Sequence, residues 1–224
     1  MKKAERVEKI IEVLDRTYPD PHPPLNFSSP FELLIAVILS AQCTDERVNQ
    51  VTPALFRVAT TPEAILELGE EKLKSYIRPT GFFNAKAHNI IKACRTLMEE
   101  FNGELPRTLE ELQRLGGVGR KTASVVICQA FGVPAFPVDR HVFRVAQRLD
   151  LARAKTPDET DRQLRKVLPK KQWIPLHLQL VFLGRQWCRP RPLCESCPLL
   201  ELCPTGAKNV EATKKTKPKG ISKR

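Results

Sequence analysis

Apolar residues recur at helical spacing along almost the whole chain. Val7, Ile10, Ile11 and Leu14 form one stripe at 3.6-residue spacing. Ile90, Ile91, Cys94, Leu97, Met98 and Phe101 form a longer one that stops at Gly103. Between Leu33 and Leu39 the chain is apolar all round, the mark of a helix enclosed by others. Start signals sit where the stripes begin. Ser29-Pro30-Phe31-Glu32 combines an N-cap, a proline at the first helical position and a capping-box glutamate. Thr61-Pro62, Thr108 with Glu111, and Thr156 with Glu159 open three more helices. Asp139 takes the N-cap slot before Val142, Phe143, Ala146 and Leu149. Pro53 and Pro175 fall inside helical patterns and are expected to kink or divide them. No pair of segments alternates with the period of strands, so the predicted fold is all-α with short loops.

Charge adds a partner to this picture. Lys plus Arg number 37 against 25 Asp plus Glu, a net +12, which favours a polyanion such as nucleic acid. Part of the excess lies between Lys208 and Arg224, which reads as a disordered basic tail adding salt-sensitive attraction to phosphates. No apolar run is long enough to span a bilayer, and the first residues lead into a charged amphipathic pattern without a signal-peptide core. A reducing, cytoplasmic setting and no membrane partner are expected. At 224 residues the chain can form one or two domains with a proper core.

Four cysteines converge in one short stretch, Cys188-x5-Cys194-x2-Cys197-x5-Cys203. Thiolates this close in sequence can meet at one centre. The stiff, cationic Arg189-Pro190-Arg191-Pro192 run suits a loop wrapped around an anionic metal–thiolate group. A [4Fe–4S] cluster and a structural zinc both need four such ligands, and the spacing does not choose between them. Cys43, Cys94 and Cys128 lie in apolar helical patterns and read as packing residues.

A second chemical signal is Leu115-Gly116-Gly117-Val118-Gly119-Arg120-Lys121-Thr122-Ala123, between a short capped helix and an apolar one. Two helices joined by a Gly-x-Gly turn make a helix–hairpin–helix. Gly117 and Gly119 permit positive φ and leave the next helix's amides uncovered for a phosphate, with Arg120 beside them. Such a turn positions DNA without reading bases. Lys121 then falls in the first turn of a helix, where the macrodipole disfavours a cation by up to about 1 kcal/mol. A lysine held neutral there is a nucleophile for Schiff-base chemistry, although position alone fits a phosphate contact as well. Asp139 can cap its helix and also, ionised, activate a nucleophile or stabilise a sugar cation. His141, close behind, reads as a packing or phosphate-contacting residue.

The segments Leu25 to Val37, Leu39-Ser40-Ala41-Gln42, Gly117 to Ala123, Val138 to Val145 and the cysteine cluster together resemble the endonuclease III family of helix–hairpin–helix DNA glycosylases. The resemblance is collinear up to about Pro204. It implies two helical domains flanking a DNA-binding cleft. One is a six-helix domain over 24–133 with the hairpin; the other joins 1–23 to 134–204 and carries the cluster loop, leaving 205–224 as the tail. It also implies that Cys188, Cys194, Cys197 and Cys203 hold a [4Fe–4S] cluster. The implied reaction is excision of oxidised pyrimidines from double-stranded DNA, followed by β-elimination at the abasic site. Lys121 matches the attacking lysine and Asp139 the essential carboxylate. Gln42 matches a residue inserted into the duplex after base flipping, and Phe82 the wedge beside it. A monomer acting at the bacterial nucleoid is expected. An adenine-mismatch glycosylase of the same superfamily would lack Lys121 and carry a further domain. A mismatch thymine or uracil glycosylase, or a non-catalytic DNA-binding metalloprotein, are the other readings. The chain departs from the family pattern at a first cysteine gap one residue short, at Pro53, and at Gly116. Gly116 stands in place of a proline and is expected to loosen the hairpin.

Overall fold

The computed structural model describes residues 1–216, and no strand occurs among them. In chain order its helices begin with α1 (Lys3–Thr17), α2 (Pro30–Leu39), α3 (Asp45–Phe56), α4 (Pro62–Leu68), α5 (Glu70–Ile77) and α6 (Phe83–Phe101). They continue with α7 (Leu109–Leu112), α8 (Arg120–Phe131), α9 (Arg140–Arg148), α10 (Pro157–Val167), α11 (Trp173–Gln186) and α12 (Pro204–Thr216). The chain divides into two compact units: Pro23–Pro137, and Met1–His22 with the residues from Val138 onward.

In the unit from Pro23 to Pro137, α2 is the central helix. Phe31 to Leu39 are all buried, and α2 packs on α3, α6 and α8. Ser29 Oγ accepts the Glu32 N–H (3.1 Å), and the Glu32 carboxylate reaches back to the Ser28 N–H (2.6 Å). Two orphan donors of the helix start are satisfied this way. Ile90, Cys94 and Leu97 seat α6 against α4 and α5. α6 ends on left-handed Asn102 and Gly103, the Gly103 N–H closing on Leu97 O (2.9 Å).

In the other unit α9 packs on α10, α11 and α12, and α1 on α11. Arg6 on α1 donates to Leu149 O (2.5 Å) and Leu202 O (3.3 Å), fixing the N-terminal helix to the end of α9 and to the cysteine loop.

Three expectations are corrected. Neither proline divides its helix: α3 runs through Pro53, and Pro175 lies in the first turn of α11, where a missing N–H removes no intrahelical bond. The tail expected from 205 is helical through Thr216, because Gly206, Asn209 and Val210 form a stripe at helical spacing that packs on the turns Cys194–Ser196 and Leu200–Leu202. Residues 217–224 of that expected tail lie outside the described residues. Cys43 is half-exposed in the α2–α3 turn, unlike the buried Cys94 and Cys128, whose thiols burial pushes up to about 12.

Candidate functional site

The hairpin bearing Lys121 joins α7 to α8. Val118 is buried beneath the turn and donates to Leu115 O (3.1 Å). Gly116 does not loosen it. A Cβ on Gly116 would lie 2.6 Å from the Asn89 carbonyl and 2.8 Å from Lys92 Cβ, so only glycine lets the turn seat directly on the α6 backbone. Gly117 uses its freedom at φ +73°, whereas Gly119 is extended at φ −83° and contributes differently. No side chain caps α8, and nothing lies within 4 Å of a Cβ added at Gly119. Ser29, Thr44, Thr61, Thr108, Asp139 and Thr156 all cap their helices with a side-chain oxygen. α8, like α1, α5, α6 and α11, has no side-chain cap, so no capping side chain accepts from its first N–H groups. Arg120 and Lys121 are exposed in its first turn.

Gln42 and Phe82, in the same unit, share an uncommon backbone state. Both are left-handed, at φ 53° and 47°, which costs about 1–3 kcal/mol for a non-glycine residue. Both are exposed; Phe82, at 66%, is the most exposed large apolar side chain among the described residues.

In the other unit, Asp139 caps α9. Its Oδ1 accepts the His141 and Val142 N–H groups, both at 2.8 Å. His141 is half-buried and sits against Gly184, where an added Cβ would come within 2.8 Å of its own Cβ. Burial holds its imidazole below the ordinary value, so at neutral pH it is a hydrogen-bonding group and not a cation. Its Nδ1 lies 3.2 Å from Arg144 Nη2.

The helix capped by Asp139 also grips the cysteine loop. Arg144 donates to Cys188 O (2.7 Å) and Gly184 O (2.9 Å). Arg148 donates to Arg189 O (2.6 Å), Pro190 O (3.1 Å) and Cys188 Sγ (3.4 Å). Cys188, Cys194, Cys197 and Cys203 line one small pocket, with Leu149, Leu183, Trp187 and Leu200 as its apolar wall. The Gly206 N–H points at Cys203 Sγ (3.2 Å) and the Asn209 amide at Cys194 Sγ (3.5 Å). Donors aimed at sulfur in an apolar surround are what a metal–thiolate group requires. Burial raises the Cys197 and Cys203 thiols, so these sulfurs favour the thiolate only with a cation to bind. Among the described residues, no three His, Cys, Asp or Glu side chains are grouped to hold a single metal ion.

Lys86, Arg144 and Arg148 are among the residues whose specific contacts were not predicted. Arg140, Arg144 and Arg148 recur every fourth position opposite the apolar face of α9; Arg144 and Arg148 bond the cysteine loop, whereas Arg140 is exposed and contacts His141. Lys86 interrupts the buried face of α6 one turn before Ile90.

The family model described as HhH-GPD superfamily base excision DNA repair protein matches residues 35–170. The chain is 50% identical over 204 residues to endonuclease III of Haemophilus influenzae, covering 91% of this chain and 96% of that one. The same figures hold for endonuclease III of Escherichia coli K12. A solved structure of a trapped endonuclease III–DNA covalent intermediate superposes with a TM-score of 0.88 at 44% identity, covering 94% of this chain and all of that one. The chain therefore belongs to the HhH-GPD superfamily of base excision DNA repair proteins and, within it, to the endonuclease III family.

Proposed function

We propose that this chain is a bifunctional DNA glycosylase and abasic-site lyase that removes oxidised pyrimidines from double-stranded DNA. Lys121 is the nucleophile. As the neutral amine it attacks C1′ of the damaged nucleotide, forming a C–N bond as the glycosidic bond breaks and the base leaves. After the nitrogen gives up a proton, its lone pair forms C1′=N as the C1′–O4′ bond breaks, opening the sugar ring with O4′ leaving as the hydroxyl. The resulting imine, as its protonated iminium, acidifies C2′. Loss of that proton with breakage of the C3′–O bond then cleaves the strand on the 3′ side. Asp139 supplies the carboxylate that assists the attack and stabilises positive charge on the sugar. Gly117, Gly119 and Arg120 hold phosphate, His141 adds a hydrogen-bonding contact, and Gln42 and Phe82 fill the gap left by the extruded nucleotide. The observation that carries the reading is an exposed lysine in the uncapped first turn of a hairpin helix. A relative trapped as a covalent DNA intermediate supports a covalent mechanism.

The four cysteines are read as ligands of a [4Fe–4S] cluster. They line a pocket instead of meeting at a point, which suits a cluster over a single zinc. When bound, the cluster supplies cross-links of iron and thiolate to a loop whose own core is thin. The protein acts as a monomer in the bacterial cytoplasm, at the nucleoid; among the described residues no helix is long and apolar enough to cross a membrane.

Duplexes carrying thymine glycol, an abasic site, or a G·T or G·U mismatch test the assignment. The first two are expected to be cut without alkali and the mismatches left intact. Thymine or uracil release without strand scission would favour a mismatch glycosylase instead. Binding with no product from any substrate would leave a DNA-binding metalloprotein.

A further inference from the structure

Lys86 sits in the first turn of α6 and is 4% exposed. Its Nζ donates to Leu39 O and Thr80 O, both at 2.8 Å. Leu39 ends α2, and Thr80 ends the short turn Arg78–Thr80. Both carbonyls are orphan acceptors at helix ends, where the backbone dipole favours a cation. Among the described residues no carboxylate contacts this ammonium, and burial holds its amine below the ordinary lysine value. A buried charge satisfied only by main chain is costly for stability alone. What it does is join two loops. Three residues beyond Leu39 is Gln42; two beyond Thr80 is Phe82. At the maximal reach of an extended chain these lie within about 11 Å and about 7 Å of the two anchored residues. Both loops are thus hung from one nitrogen, and each carries a strained left-handed residue at its tip.

We propose that Lys86 is a positioning residue that sets Gln42 and Phe82 relative to one another for insertion at a single step of the duplex. The inference rests on the reading of those two side chains as the ones that replace the extruded nucleotide. Removing the clamp leaves two buried carbonyls unsatisfied and frees the loops to relax separately. Misplacement by about 1 Å at such a site costs on the order of a hundredfold.

The test uses Lys86→Met in the full chain. Single-turnover excision from a thymine glycol duplex is expected to fall about a hundredfold. Trapping by borohydride on a single-stranded abasic oligonucleotide, which has no opposing strand to wedge apart, is expected to stay within about threefold of wild type. In a Gln42→Ala/Phe82→Ala background Lys86→Met should cause little further loss. Lys86→Gln, which keeps an amide donor, carries the same comparison if the methionine variant is insoluble. Equal losses on duplex and single strand, the same loss with the wedge removed, or no loss at all would each overturn the proposal. A wild-type protein inactive on both substrates would instead refute the glycosylase reading, and this inference with it.

Discussion

Two glycines three positions apart in the loop between α7 and α8, Gly116 and Gly119, should respond in opposite ways to the same added methyl group. Alanine at Gly116 places Cβ 2.6 Å from the Asn89 carbonyl, 2.8 Å from Lys92 Cβ and 3.0 Å from the Ala93 nitrogen. Two of these three atoms belong to the α6 backbone and cannot rotate away. Overpacking of this kind costs about 1–3 kcal/mol, or roughly 2–12 °C in Tm for a chain of this size. DNA affinity measured well below melting should change little. Alanine at Gly119 meets nothing within 4 Å, and its φ of −83° is open to any residue. A slightly poorer N-cap and a less flexible unfolded chain offset one another to within about 1 kcal/mol. The methyl group does shield the open start of α8. Loss of one hydrogen bond to a charged phosphate, about 1.5–3 kcal/mol, weakens binding roughly tenfold or more. Because an amide carries no full charge, the salt dependence should keep its slope. Thermal melting and fluorescence anisotropy with an undamaged duplex over a salt series read both effects. Wild-type affinity in Gly119→Ala would refute the phosphate site, and wild-type melting in Gly116→Ala would refute the packing.

Asp139→Asn keeps a good N-cap and removes the charge, so it should melt near wild type yet lose base excision; Asp139→Ala should lose excision and also about 0.5–2 kcal/mol of stability. Equal melting of the two variants would sink the capping role. His141 has its folded pKa below the ordinary 6.5, so the unfolded chain takes the proton first, and stability present above 6.5 is lost as pH falls through it. His141→Gln should therefore show a smaller drop in Tm between about pH 7.5 and about pH 5.5; an unchanged or larger drop contradicts the burial effect. Purified protein should contain about four irons with visible iron–sulfur absorption, and Cys194→Ser should lose both. Stoichiometric zinc in colourless wild-type protein would contradict the cluster.

The helix starts were legible because their signals are local. Ser29, Thr61, Thr108, Asp139 and Thr156 each bond an N–H two or three residues away, which a short window of sequence contains. The hairpin was legible for the same reason, but the work of each glycine was not: Gly116 is decided by α6, more than twenty residues earlier. Lys86 looks like an ordinary charged residue of an amphipathic helix. Its partners are main-chain carbonyls, one of them 47 residues distant, and a carbonyl leaves no mark on composition. Arg144 and Arg148 were missed likewise, since each bonds backbone of the cysteine loop. Lysine content made the C-terminal segment read as tail, although the stripe at Gly206, Asn209 and Val210 was there to be counted. Local chemistry is written in neighbouring residues; tertiary contacts to backbone are not.

The central claim is that one particular amine forms the covalent bond to DNA. Wild-type protein incubated with an abasic duplex and borohydride, then digested and analysed by mass spectrometry, identifies that amine directly. The expected result is a single nucleotide adduct on the peptide containing Lys121, absent from Lys121→Ala protein that still binds the duplex. An adduct on another lysine or on the N-terminal amine, or one that persists in Lys121→Ala, would contradict it.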